Sequence, residues 1–183
     1  MSDLRPMWVV DTSVYTHLSR AGHLHILNEV APAGLILVPA EVHDEIGAGR
    51  DLYPGIADPA SLAWVELAVL TEDEVFTQLV IKAAMGGAPT DHLGECSVIA
   101  CAKHRGHVAL VDERAAVTQA GLHGVLTHDT LWVVIEAFST ILDGDRSAAI
   151  RIVDDLISTG MHLPIESGAS LFAWAYEEGL LPR

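Results

Sequence analysis

Short apolar runs rich in β-branched residues recur along this chain, each followed by a longer stretch of helical character, and that alternation narrows the fold more than any other feature. The runs span residues 7–10, 35–39, 62–67, 107–111 and 124–127. Between them, residues 14–30 read as one or two helices broken near Ala21 and Gly22, and residues 41–46 as a short helix ended by Gly47-Ala48-Gly49. Thr71-Glu72-Asp73-Glu74 has capping-box spacing and opens a helix that ends at Gly86-Gly87. An apolar helix runs from near Glu95 to Arg105-Gly106, and Thr127 or Asp129 caps another that continues through Leu142. Residues 51–59 read as a loop from their Pro and Gly content. Strands alternating with helices predict an α/β fold: a three-layer α/β/α arrangement around a mainly parallel sheet of roughly five strands.

Two further helical stretches follow Asp143-Gly144-Asp145. One has Ala149, Ile152, Val153, Leu156 and Ile157 on a single face, the other Leu171, Phe172, Trp174 and Ala175. The expected organisation is a main domain over residues 1–145 and a C-terminal helical extension over 146–183. That extension either packs on the domain or forms a dimer or partner interface.

At 183 residues, half of them apolar, the chain suits one domain with a substantial core. No apolar run approaches the roughly 18 residues needed to span a bilayer, and the N-terminal residues 1–6 lack the basic start and apolar stretch of a signal peptide. Cys96 and Cys101, on one apolar helix, have neither disulfide-framework nor zinc spacing and read as small buried side chains in a reducing compartment. A cytoplasmic protein without a membrane anchor is expected.

Acidic residues stand at the turn ends of the strand-helix units. Asp11 closes the first strand-like run and is followed by Thr12 and Ser13; Asp112 closes the run at 107–111 and is followed by Glu113 and Arg114. In an open α/β sheet ligands bind in the crevice outside the carboxyl ends of the strands. If these two strands are parallel neighbours, their carboxylates lie within about 5 Å, the interstrand spacing. Anions that close repel unless a cation or proton sits between them. Glu95 opens a helix, where the dipole favours a carboxylate in any case. Glu41 and Glu45 share a neighbouring face of the helix after the second strand, and position alone does not choose between them. Taken singly each acid reads as a cap or a solvated charge; at matching topological places they point to a metal site.

These segments, Val9-Val10-Asp11-Thr12-Ser13, Leu37-Val38-Pro39 through Ile46, Leu93-Gly94-Glu95 through Ala100 and Ala109-Leu110-Val111-Asp112-Glu113-Arg114, resemble the PIN-domain nuclease family over roughly residues 7 to 145. Carried over position by position, the resemblance implies catalytic acids at Asp11, Glu45, Glu95 and Asp112. Many members have Asp where this chain has Glu95, and Glu113 stands as a substitute or supporting ligand beside Asp112. Metal contacts then fall to Asp11, Asp112, Glu95 and Glu113, and substrate contacts to Thr12, Ser13 and Arg114. The implied activity is hydrolysis of RNA phosphodiesters assisted by Mg²⁺ or Mn²⁺, hard ions that prefer oxygen ligands. Members also serve as toxins, so an antitoxin protein and a second copy of the chain join RNA as expected partners. The alternative is a PIN-like module that binds RNA or protein without cutting.

A net charge of −15 opposes a polyanionic substrate. Lys103-His104-Arg105, Arg114 and Arg20 are the residues expected to form a local positive rim. Other acid-based chemistries fit less well: a haloacid-dehalogenase-like phosphatase needs a second Asp two residues after the first, where Ser13 stands, and a receiver domain needs a Lys near a strand end. The histidines lack the i, i+4 spacing of a helical ligand pair, and most read as surface residues. His92, close to Glu95, is singled out for a part in substrate or metal binding.

Overall fold

A computed structural model describes residues 6–182. Most of the N-terminal segment judged above against a signal peptide falls outside them. Five strands, β1 (Trp8–Val10), β2 (Ile36–Pro39), β3 (Val65–Ala68), β4 (Val108–Leu110) and β5 (Thr127–His128), form one sheet in the order β3-β2-β1-β4-β5. Every pairing is parallel, with Val9 opposite both Leu37 and Ala109. β1 and β2 are buried along their whole length, as strands covered by helices on both faces must be. The chain adds β2 and β3 on one side of β1 and then returns to add β4 and β5 on the other. The order therefore reverses between β1 and β4, which is where such sheets open a crevice at their carboxyl ends.

Nine α-helices among the described residues complete the layers: α1 (Thr12–Arg20), α2 (His25–Val30), α3 (Ala40–Leu52), α4 (Glu72–Met85), α5 (Leu93–Arg105), α6 (Arg114–Leu122), α7 (Thr130–Thr140), α8 (Arg146–Ser158) and α9 (Leu171–Glu177). The break between α1 and α2 falls at Gly22, whose φ of 79° L side chains rarely adopt. The capping box at Thr71 and Glu74 forms as expected. Asp129, rather than Thr127, caps α7, accepting from Trp132 N at 2.7 Å. α5 is buried from Cys96 to Ala102 and lies against β1, β2 and β4; both cysteines are free and buried within it.

The structure corrects several expected boundaries. α3 does not stop at Gly47-Ala48-Gly49 but continues to Leu52. Val42 and Ile46 are fully buried and hold it, and a side chain at Gly49 would begin 3.8 Å from Ile56, so the glycine there leaves room for a neighbour. β3 begins at Val65 instead of Leu62, because a 3-10 turn at Pro59–Ser61, capped by Asp58, ends on Leu62. β5 begins at Thr127 because Gly124, at φ 70°, belongs to the turn that ends α6. α7 ends at Thr140, short of Leu142.

α8 and α9 rest on the body of the protein. Ala149, Ile152, Val153, Leu156, Leu171, Phe172 and Ala175 are buried, α8 packs on α7 and α1, and the Phe172 ring meets that of Phe138 edge-on at 4.9 Å. His17 Nδ1 lies 2.6 Å from Thr159 Oγ1, tying α1 to the end of α8. No helix among the described residues is long and apolar enough to cross a membrane.

Candidate metal centre

Asp11 leaves the end of β1 and caps α1, with Oδ2 accepting from Ser13 N at 3.3 Å. Its own N–H donates to Leu110 O at 3.1 Å, which extends the β1–β4 ladder and sets Asp11 against the start of the β4–α6 turn. Its side chain is buried, and Oδ1 has no hydrogen-bond partner. Burial, and next the charge of Glu95, push the Asp11 carboxyl well above its ordinary range, against the Thr12 and Ser13 amides that pull it down.

Asp112 follows β4 and is fixed by three donors. Oδ1 accepts from Thr130 N at 2.8 Å; Oδ2 accepts from Thr130 Oγ1 at 2.9 Å and from Ser13 Oγ at 3.2 Å. Ser13 therefore links the two carboxylates, its amide to Asp11 and its hydroxyl to Asp112. Burial raises the Asp112 carboxyl, and the Thr130 and Ser13 hydrogen bonds oppose it.

Glu45 reaches the same place from α3. It accepts a hydrogen bond from Thr12 Oγ1 on Oε2 and another from Gly94 N on Oε1 at 2.9 Å. Of the two acids that share a face of α3, Glu45 bonds to the segments of Asp11 and Glu95, while Glu41 Oε2 is buried without a hydrogen-bond partner. Close approach is possible because residue 94 is glycine: a Cβ there would lie 2.5 Å from Glu45 Oε2. Glu95 sits in the first turn of α5. Burial raises its carboxyl, and the proximity of Glu113 and Glu45 adds to the rise. His92 caps α5 from a left-handed backbone position, φ 59°, and its Nδ1 lies 3.3 Å from Glu113 Oε2 and 3.7 Å from Glu95 Oε1.

The structure therefore brings Asp11, Glu45, Glu95, Asp112 and Glu113 to one sheet edge from four separate stretches of chain. Thr12 and Ser13 stand among them with their hydroxyls directed to Glu45 and Asp112. Arg114 is exposed and lines a cavity of about 640 Å³ with Asp112, Thr118, Asp129, His162 and Trp174. Beside it His128 stacks on Trp132 at 3.6 Å and 7°.

The expected basic rim is not assembled. Arg105 donates to both oxygens of Glu74, at 2.7 and 3.0 Å, and Arg20 lies over the Tyr53 ring. Lys103-His104-Arg105 ends α5, and the helical rise puts it about 15 Å along the axis from Glu95. Of the basic residues expected there, Arg114 is the one that lines the cavity beside Asp112.

Two positions escaped the sequence reading. Thr130 gives Asp112 two of its three hydrogen bonds, and only its place beside the capping Asp129 hinted at a role. Gly94, next to Glu95, reads in the sequence as an ordinary helix residue.

Oxygen donors predominate in this set, and several carboxylates crowd together. Asp11 Oδ1 is buried among them without a donor, a condition that folded proteins seldom leave uncompensated. A divalent cation fits all three features.

A comparison with curated proteins gives no match. A family model described as a PIN domain matches residues 7–173, so the match continues through α8 and into α9. A five-stranded parallel sheet between helices, with acids at its reversal point, agrees with that match over most of the chain, and the protein belongs to the PIN-domain family.

Proposed function

We propose that this protein is a ribonuclease that hydrolyses RNA phosphodiester bonds with the help of Mg²⁺ or Mn²⁺. The observation that carries the reading is the unpartnered, buried Oδ1 of Asp11 amid carboxylates from α3, α5 and the turn after β4. PIN domains are generally nucleases, and the family match supports the reaction class.

Asp11, Glu95, Asp112 and Glu113 would hold the ion. Asp112 Oδ2 already accepts two hydrogen bonds and Oδ1 one, so Oδ1 keeps the remaining lone pair of a rigidly held carboxylate. Glu45, held by Thr12 and Gly94, would orient a water or a phosphate oxygen. Thr12 and Ser13 position carboxylates as well as lining the site, and Arg114 offers charge to the substrate backbone. When bound, the ion offsets charge on the phosphate under attack and makes a water a better nucleophile. No protein nucleophile is required.

A cytoplasmic toxin of a toxin-antitoxin pair fits the same chemistry. The face for an antitoxin or a second copy would be the exposed stripe Val75, Phe76, Leu79 and Val80 on α4, continued by Val69. Asp11→Asn is expected to abolish EDTA-sensitive cleavage of single-stranded RNA while the circular dichroism spectrum stays unchanged. Cleavage that persists in the variant or in EDTA rejects the mechanism. The net charge of −15 favours the second reading, a module that binds RNA or protein without cutting. Its signature is retention of RNA with no cleavage in Mn²⁺.

A further inference from the structure

We propose that His92 is a direct ligand of a divalent cation in this centre, its Nδ1 joining one oxygen each of Glu95 and Glu113, and that it biases the centre toward Mn²⁺ over Mg²⁺. The assignment rests on the cation reading above and adds a nitrogen to a site otherwise built of oxygen.

Among the described residues, His92, Glu95 and Glu113 form the group whose candidate ligand atoms lie within 4.8 Å of one another. Nδ1 is 3.3 Å from Glu113 Oε2 and 3.7 Å from Glu95 Oε1. Two ligands at about 2.1 Å from one ion, at octahedral to tetrahedral angles, stand about 3.0–3.4 Å apart. A small contraction around an ion closes the set. The Asp11 carboxylate supplies an independent pointer: it is 3 % exposed, with Oδ1 unpartnered. Glu45 links the two neighbourhoods: it accepts from Thr12, the residue after Asp11, and from Gly94, the residue before Glu95. The acceptor without a donor and the His92 cluster thus stand on segments that Glu45 joins.

Imidazole is a better donor to transition-metal ions than to Mg²⁺, which takes oxygen and keeps much of its water. A His-Glu-Glu set therefore discriminates between two ions that an all-carboxylate site distinguishes poorly. The alternative role for His92 is an ion pair to Glu95 and Glu113 with no metal contact.

Pulsed electron paramagnetic resonance of Mn²⁺ added to the wild-type protein separates these roles without any activity measurement. The expected result is a ¹⁴N coupling on bound Mn²⁺ that disappears in His92→Asn, a residue chosen because Asn tolerates the left-handed backbone. Mn²⁺ affinity of the variant should fall about 10-fold or more, with a smaller change for Mg²⁺. Mn²⁺ that binds with no ¹⁴N coupling, or with a coupling that survives in the variant, overturns the assignment while leaving the cation centre standing. Failure of Mn²⁺ to bind the wild-type chain at all overturns both.

Discussion

Gly94 and Glu45 make the most sharply constrained contact of the centre. Gly94 lies in the first turn of α5 without a positive φ, so Ala suits its backbone and gains up to about 1 kcal/mol of helix propensity. Its methyl group would nonetheless stand 2.5 Å from Glu45 Oε2 and 3.0 Å from Cδ, and the carboxylate must move. Gly94→Ala is therefore expected to change the unfolding free energy by less than about 1 kcal/mol while lowering RNA cleavage about 10²-fold, the cost of a small misplacement in a catalytic set. Denaturant melts and cleavage rates on the same preparations check it; a stable variant with full cleavage removes Glu45 from the mechanism. At this scale the sequence was informative about types and silent about partners. Asp11 and Asp112 are visible as acids after apolar runs, because a strand end leaves a signature in composition. Thr130 and Gly94 are not, since a hydroxyl that supports a carboxylate 18 positions away looks like any other cap residue.

The charged pair Glu74–Arg105 ties α4 to α5, beside the neutral contacts Thr77–His104 and Gln78–Ser97. Glu74, whose side chain is 2 % exposed, accepts from Arg105 through two nitrogens and also closes the α4 capping box through Thr71 N at 2.7 Å. The Arg105 hydrogen bond, and after it the Thr71 amide, hold the Glu74 carboxyl below its ordinary value of 4.5 despite burial. A carboxyl lowered on folding stabilises the native state above its unfolded value, and that contribution is lost as pH falls through the folded one. Glu74→Gln is expected to cost about 1.5–3 kcal/mol near neutral pH, the range for hydrogen bonds to charged groups. The gap to wild type should narrow as the pH drops below 4.5; a gap that is constant with pH would show that the charge does not matter. The box itself was legible because its spacing is local. The Arg105 contact was not: its three-residue basic cluster looks in sequence like a rim for substrate, while the helix carries it about 15 Å from Glu95 and Arg105 pairs with Glu74.

For the molecule as a whole, strand-helix alternation exposed the parallel sheet because βα periodicity is written in short windows. Strand starts shifted by three residues where a 3-10 turn or a left-handed glycine delayed pairing, as at Leu62 and Gly124. The division at residue 145 has a physical test. Ile152, Val153, Leu156, Leu171 and Phe172 are buried against the body, and removing them forfeits about 7–15 kcal/mol of apolar burial. That matches the whole stability of a typical domain, about 5–15 kcal/mol. A chain of residues 1–145 is therefore expected to lose its cooperative melt; a sharp transition in calorimetry would establish that α8 and α9 are dispensable.

Ser13 reaches Asp112 across 99 positions of sequence, and β4 must lie beside β1 before that bond can form. A chain still emerging from the ribosome, with its first hundred residues out, has no such neighbour for β1. Whatever the assembled carboxylates do, the half-made protein cannot yet do it.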